Sequence, residues 1–330
     1  MSHPSWRDAW HAALYAPGGF FARGERPAGH FRTSALVGPE LAEALVEMLA
    51  RIDHALGGPP RLDVVDMGAG GGELAGMMRE LAGAQLGRRL HVTAVELVPP
   101  APMEGVRWSP SLPDEMVGLL IGHEWLDSVP CEVMMVREAR TVRVHVDRAG
   151  NEYPGDVVSC RWQRRWWPLC SEGDRAEVGE SRDVAWAAAV SRVRAGAALA
   201  IDYGHTRADR PRHGTLTGYR RGRQVPPVPD GSCDLTAHVA FDSCALAAPT
   251  DGTVLTTQRA ALAALGLPSG APAAALAASD PLGWLATTAR VGRVAELRDP
   301  AGLGGYGWLL QTTAGLSPRG LLSCGLPSVT

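Results

Sequence analysis

The chain has 330 residues, 45% of them hydrophobic, and a formal net charge of −3, so it can bury a sizeable core as one large domain or one domain with insertions. That weak negative charge gives no electrostatic case for nucleic acid or an anionic membrane as the main partner and favours a small-molecule or protein substrate. All 32 basic residues are Arg, which excludes a Walker-A phosphate loop, a Schiff-base lysine and pyridoxal-phosphate chemistry.

The first residues, Met1 to Trp6, lack a basic segment followed by an apolar run, and nowhere are there the ~18 uninterrupted apolar residues of a spanning helix. The expected location is the cytoplasm. Residues 5–14 read as a short amphipathic helix capped by Ser5, with Trp6, Trp10 and Leu14 on one face. A second helix starts at Pro39-Glu40 and presents Leu41, Leu45, Met48, Leu49, Ile52 and Leu56.

Strand and helix then alternate, as in a parallel sheet covered on both faces. Strands are expected at 62–66, 90–96, 106–108 and 117–122, with a helix from Glu73 to about Leu86. A hairpin follows at 133–137 and 141–147, then an Arg- and Trp-rich piece, 161–167, which reads as a packed insertion or a protein-docking surface. The sheet resumes at 197–202. Residues 205–233, rich in Arg, Pro and Gly, read as a functional loop or lid, and the last two strands are expected at 253–257 and 307–312, with Ala-rich helices between them. The six cysteines (131, 160, 170, 233, 244 and 324) show no C-x-x-C pair or zinc-ligand spacing and read as buried free thiols.

Strand 62–66 runs directly into Gly68-Ala69-Gly70-Gly71-Gly72 and then a helix, a connection through which backbone approaches a ligand at the carboxyl edge of a sheet. Glycines 68, 70 and 72 make G-x-G-x-G, and a dinucleotide fingerprint in that frame would need Gly or Ala where Glu73 stands. The frame Gly70-x-Gly72-x-x-Ala75 does meet the dinucleotide pattern, so spacing leaves NAD open. Asp66 favours S-adenosylmethionine: its carboxylate suits a sulfonium and an amino group and would repel a pyrophosphate. Glu96, ending the second strand, is placed for ribose hydroxyls in either case.

The fourth strand ends in His123-Glu124-Trp125-Leu126-Asp127, where two carboxylates three residues apart suit a bound cation. Asp202, ending the fifth strand, is within reach of the same pocket, and His238 can accept a proton near neutral pH. With these segments the chain resembles the MidA-like family of methyltransferases, which includes the mitochondrial complex I assembly factor that dimethylates a protein arginine. The likeness runs through Ala13-Leu14-Tyr15, Gly19-Phe20-Phe21, His30-Phe31-Arg32-Thr33-Ser34, Asp66 to Leu74, and Glu124-x-x-Asp127-x-x-Pro130. It continues through Ile201-Asp202-Tyr203-Gly204, Gly214-Thr215-Leu216, Tyr219 and Asp234-Leu235-Thr236-Ala237-His238-Val239-x-Phe241. His123 stands where the family usually has Asn, and a His that commonly follows the Tyr219 position is replaced within Arg221-Gly222-Arg223.

The resemblance implies an α/β, Rossmann-like class I methyltransferase fold with a mostly parallel, doubly wound sheet and segments inserted over the active site. The implied layout is one domain: an N-terminal helix and lid (1–38), a cofactor half (39–130), an inserted hairpin region (131–180) and a second half (181–330) with a lid at 205–245. The expected cofactor is S-adenosyl-L-methionine, held by Asp66, Gly68, Gly70, Gly72, Glu96 and His123, with no metal. Glu124, Asp127, Asp202 and His238 are the expected catalytic residues, acting on a protein or peptide arginine. A guanidinium stays protonated at physiological pH, so paired carboxylates are the groups to hold and orient it. Methylation of a peptide or small natural product, and a cofactor-binding assembly factor with little catalysis, are the alternatives; an NAD-dependent oxidoreductase is disfavoured.

Overall fold

The computed structural model describes residues 3–26, 29, 33–267, 270 and 273–322. His30, Phe31 and Arg32 of the resemblance, Cys324, and part of the Pro- and Ala-rich stretch 267–278 lie outside the described residues.

Seven strands form the central sheet: β1 (Leu62–Met67), β2 (Leu90–Val95), β3 (Val106–Ser109), β4 (Met116–His123), β5 (Val193–Asp202), β6 (Gly252–Thr257) and β7 (Gly307–Thr313). Their order is β6-β7-β5-β4-β1-β2-β3, and only β7 runs against its neighbours. The mostly parallel α/β sheet is therefore as the sequence pattern implies. The chain moves outward from β1 to β3 and then returns to place β4 on the other side of β1, opening a crevice at the carboxyl ends of these two strands.

Alternate side chains feed two cores, because successive residues of a strand point to opposite faces. Val64, Leu119, Ile121, Leu199 and Leu310 pack beneath helix α1 of this layer (Glu40–Ala55) and helix α2 (Glu73–Leu86), where Leu41, Leu45, Met48, Leu49 and Ile52 are all fully buried. Val65, Leu120, Ala198, Ala200 and Leu309 face Trp186 and Phe241 on the other side. The N-terminal helix (Trp6–Tyr15) is capped as its sequence suggests, Ser5 Oγ accepting from the Asp8 N–H at 3.3 Å.

That helix does not join either face of the central sheet. Trp6, Trp10 and Leu14 pack on Val133, Val144 and Val146 of an inserted antiparallel sheet. The hairpin read from the sequence is there, as Glu132–Arg137 and Arg140–Val146, but as the middle of four strands flanked by Glu152–Val157 and Arg175–Val178. The Arg- and Trp-rich piece forms a short helix (Arg161–Trp166) with Trp162 and Trp167 buried against Met134 and Ala176. The stretch 205–233 is more ordered than a loop: Thr217–Arg220 pairs with Arg223–Val225 and with Asp234–Thr236.

Two glycines hold the middle of the sheet together. Gly118 (φ +140°) and Gly196 (φ +138°) are register partners on β4 and β5, and a Cβ on Gly196 would lie 1.9 Å from the Gly118 carbonyl oxygen. Gly196→Ala is expected to cost about 2 kcal/mol or more, from backbone strain and overpacking. Gly292→Ala, at a helical position with open space around it, should instead stabilise by up to ~1 kcal/mol. Guanidinium denaturation of the two variants checks both signs.

Candidate active site

At the end of β1 the chain turns through Gly68, Gly70 and Gly72 with φ of +73°, +55° and +82°. These left-handed conformations are the reason for glycine at every second position, and they follow the G-x-G-x-G frame. The turn is stitched to β2: Gly68 and Ala69 N–H donate to the Val95 carbonyl at 3.0 and 3.1 Å, and Gly70 N–H donates to Glu96 Oε2 at 2.9 Å. Glu96 also accepts from Leu97 N–H at 2.7 Å.

Gly68, Gly70 and Glu96 line a cavity of about 530 Å³ that continues past Leu97, Val98 and Pro110 on one side and Tyr15, Ser128 and Pro130 on the other. A second, smaller cavity of about 60 Å³ is walled by Asp66, Glu73 and His123, and shares Arg26, Gly68, Gly70 and Glu124 with the first. Gly72 lines neither. Its place is set by packing, since a Cβ there would meet the Trp108 ring at 2.8 Å.

Asp66 is buried with its Oδ2 lacking any hydrogen-bond partner, and burial, opposed mainly by the charge of His123, pushes its pKa up to about 7. His123 lies 3.2 Å from Glu124 Oε1 at ion-pair distance without hydrogen-bond alignment. Burial disfavours its charged form, but Glu124, Asp66 and Asp127 together outweigh that and raise its pKa.

The turn after β4 aims the carboxylates. Glu124 holds a left-handed backbone (φ +49°), unusual for a non-glycine residue and frequent where function demands a particular side-chain direction. Its N–H donates to the Ile201 carbonyl at 2.8 Å and its Oε1 accepts from Ser34 N–H at 3.3 Å, leaving Oε2 buried and unpartnered. Asp127 sits in the one-turn helix Leu126–Ser128, buried and lining neither cavity; Tyr203 donates its hydroxyl to one oxygen, and the other has no partner.

Of the expected catalytic carboxylates, Asp202 is the one with both oxygens hydrogen-bonded. It is fully buried, lines neither cavity, and its two oxygens accept from the backbone N–H of Asp127 (3.1 Å) and Tyr203 (3.0 Å). Such a carboxylate braces the β4 and β5 ends. His238 is exposed, its ring edge-on to Tyr203 with centroids 5.3 Å apart, and desolvation followed by the charge of Arg182 lowers its pKa.

The structure also gathers residues to which the sequence reading attached no role. Asp234 is buried with Oδ1 unpartnered, and its pKa is raised by burial and by the charges of Asp127 and Glu124. Tyr15, Tyr203, Tyr219 and Tyr306 have pKa values raised by burial first, with Asp127 among the contributing charges for each, whereas the fifth tyrosine, Tyr153, is raised first by its hydrogen bond to Asp147. Arg182 is buried behind them, and its guanidinium donates to the carbonyls of Asp127 (2.6 Å), His238 (2.7 Å) and Val129 (3.2 Å). The signals were present but local: Tyr15, Tyr203, Tyr219 and Asp234 all stand in the motifs of the resemblance. Among the described residues, no group of three or more His, Cys, Asp or Glu is arranged to hold a metal ion, and no helix is long and apolar enough to cross a membrane.

The glycine turn, the crevice at the strand-order reversal and the carboxylates around it meet an independent finding. Residues 41–258 match the model of a protein family described as "Putative S-adenosyl-L-methionine-dependent methyltransferase". The chain belongs to this family. Among solved structures, it is similar to a Burkholderia thailandensis protein crystallised with S-adenosyl-homocysteine: 23% identical, TM-score 0.82, covering 98% of this chain and 91% of that one. A native structure of an uncharacterized protein from Burkholderia thailandensis is 24% identical with TM-score 0.78 over the same shares. At these identities the likeness establishes the methyltransferase fold. No curated protein matches the chain.

The ionisation of Asp66 is measurable in this methyltransferase without any ligand. Its pKa is about 7 in the folded chain and about 4 in an unfolded one. Its favourable contribution is therefore complete below pH 4 and is lost as pH rises through 7. Asp66→Asn, neutral throughout, should match the wild type at pH 4 and exceed it at pH 8 by on the order of 2–4 kcal/mol. Urea denaturation at pH 4, 6 and 8 checks this; a pH-independent difference would show that the carboxyl ionises normally.

Proposed function

We propose that this methyltransferase N-methylates a guanidinium, that of an arginine in a protein or peptide, using S-adenosylmethionine bound at the glycine turn. The observation that carries the acceptor assignment is a set of three buried carboxylate oxygens without partners: Glu124 Oε2, Asp127 Oδ1 and Asp234 Oδ1. Each is an acceptor deprived of water, and a buried unpaired carboxylate costs several kcal/mol unless a cation meets it. A guanidinium brings five N–H donors in a planar fork and its charge.

The residues present fit the methyl donor. Left-handed glycines 68 and 70 expose backbone to the cavity, Asp66 offers a buried oxygen with no other partner, and Glu96 stands beyond the turn with its carboxylate fixed by two N–H groups. Asp66 and His123 would face the amino-acid end and Glu96 the ribose; Leu97, Val98 and Pro110 supply apolar wall for the base. When bound, the cofactor supplies an electrophilic methyl group.

The protein's own work is to hold, orient and discharge the acceptor. Glu124 lines both cavities and so meets the reacting nitrogen, while Asp127 and Asp234, which line neither cavity but each keep a buried oxygen without a partner, would take the opposite edge of the guanidinium. Tyrosine rings at 203, 219 and 306 restrict it to one plane, and their faces favour a cation. Asp127, whose pKa is raised by burial and by the charge of Glu124, is the group to accept the proton as the nitrogen becomes nucleophilic, and His238 on the solvent side of Tyr203 is placed to pass it out.

Incubation with methyl-labelled cofactor and host lysate should place the label on protein arginine. Glu124→Gln and Asp127→Asn are each expected to lower transfer by about 100-fold or more, and Asp127→Asn, outside both cavities, should change cofactor affinity less than threefold by calorimetry. Full activity in both variants, or label found on a small molecule or on lysine, would overturn the acceptor assignment. Cofactor binding without transfer to any extract would instead favour an assembly role.

A further inference from the structure

We propose that Arg26 binds the α-carboxylate at the amino-acid end of the methyl donor, and so selects the complete cofactor over analogues that lack this group. The inference rests on the reading of the glycine turn as a methyl-donor site.

Arg26 lines both cavities, one of four residues to do so with Gly68, Gly70 and Glu124. Its Nη1 donates to the carbonyl oxygen of Gly70, and Nη2 reaches that of Val98 at 3.5 Å, so the guanidinium lies directly over the turn. The segment that carries it is tied down. Gly24, left-handed at φ +80°, closes a short turn by donating to the Phe21 carbonyl at 2.9 Å, and Arg23 donates to the carbonyls of Gly18 and Gly231, each at 2.7 Å.

The electrostatics supply the argument. S-adenosylmethionine carries a sulfonium, an ammonium and a carboxylate. The walls around the turn hold Asp66, Glu73, Glu96 and Glu124, which suit the two cations and oppose the anion. Among the described residues lining either cavity, Arg26 is the only arginine. A guanidinium with two N–H groups on carbonyls keeps others for a carboxylate, in a charge-assisted fork that a lysine cannot reproduce.

Calorimetry on the full chain tests this with three probes: S-adenosylmethionine, its decarboxylated form, and 5′-methylthioadenosine, which lacks the whole amino-acid end. The wild type should bind S-adenosylmethionine at least tenfold more tightly than the decarboxylated form. In Arg26→Met that preference should vanish or invert, because the surrounding acids then favour the more cationic analogue, while affinity for methylthioadenosine stays within twofold. A preference that survives in Arg26→Met would overturn the assignment. So would an equal loss of affinity for all three probes, which would make Arg26 a prop for the glycine turn. Failure of the wild type to bind any of them would instead sink the methyl-donor reading on which the inference rests.

Discussion

The structure is organised around an electrostatic debt at the carboxyl edge of its sheet. The charges of Glu124 and Asp127 act on both Asp202 and Asp234, Asp66 lies in the field of His123, and the buried Arg182 directs its donors to backbone carbonyls. Left alone, such a cluster answers by holding protons, and the pKa values of Asp66, Asp127, Asp202 and Asp234 are all raised, burial being the first cause in each. A cation is the other answer. Only Asp202 is satisfied internally, by two N–H groups, which separates the carboxylate that builds the site from those that remain open.

Everything else in the fold serves that edge. Strand-order reversal between β1 and β4 opens the crevice, and the paired glycines at 118 and 196 let the central strands close up beneath it. The inserted sheet anchors the N-terminal helix through Trp6 and Trp10, which delivers Tyr15 to hydrogen-bond Ser128 (3.1 Å to its carbonyl) beside Asp127. The small sheet of Thr217–Arg220 and Asp234–Thr236 sets Tyr219 opposite Asp234 in register. Tyrosine, acid and arginine thus arrive from separate layers, and the tightness of the pocket is a consequence of how those layers dock.

Much of the cofactor side was legible because it is local. Strand, glycines and helix follow one another within β1 and α2, the need for φ > 0 marks every second residue as glycine, and Glu96 is placed by the length of one strand–helix–strand unit. The flanking strands of the inserted sheet were not legible, for a physical reason. Glu152–Val157 is exposed along nearly its whole length and contains Pro154, whereas Arg175–Val178 is almost wholly buried. Neither alternates, so neither carries the period-two signal by which a half-buried strand is recognised.

By itself the sequence determined the alternation of strand and helix, the conformation of the glycine turn and the absence of lysine chemistry, since each follows from residues adjacent along the chain. Only the tertiary structure decided that β7 runs antiparallel, that both oxygens of Asp202 are held by backbone N–H groups, and that Asp234, Arg182 and four tyrosines come within the field of Asp127. Charge and burial act through space, and these side chains become neighbours only when sheets formed from distant segments pack against one edge.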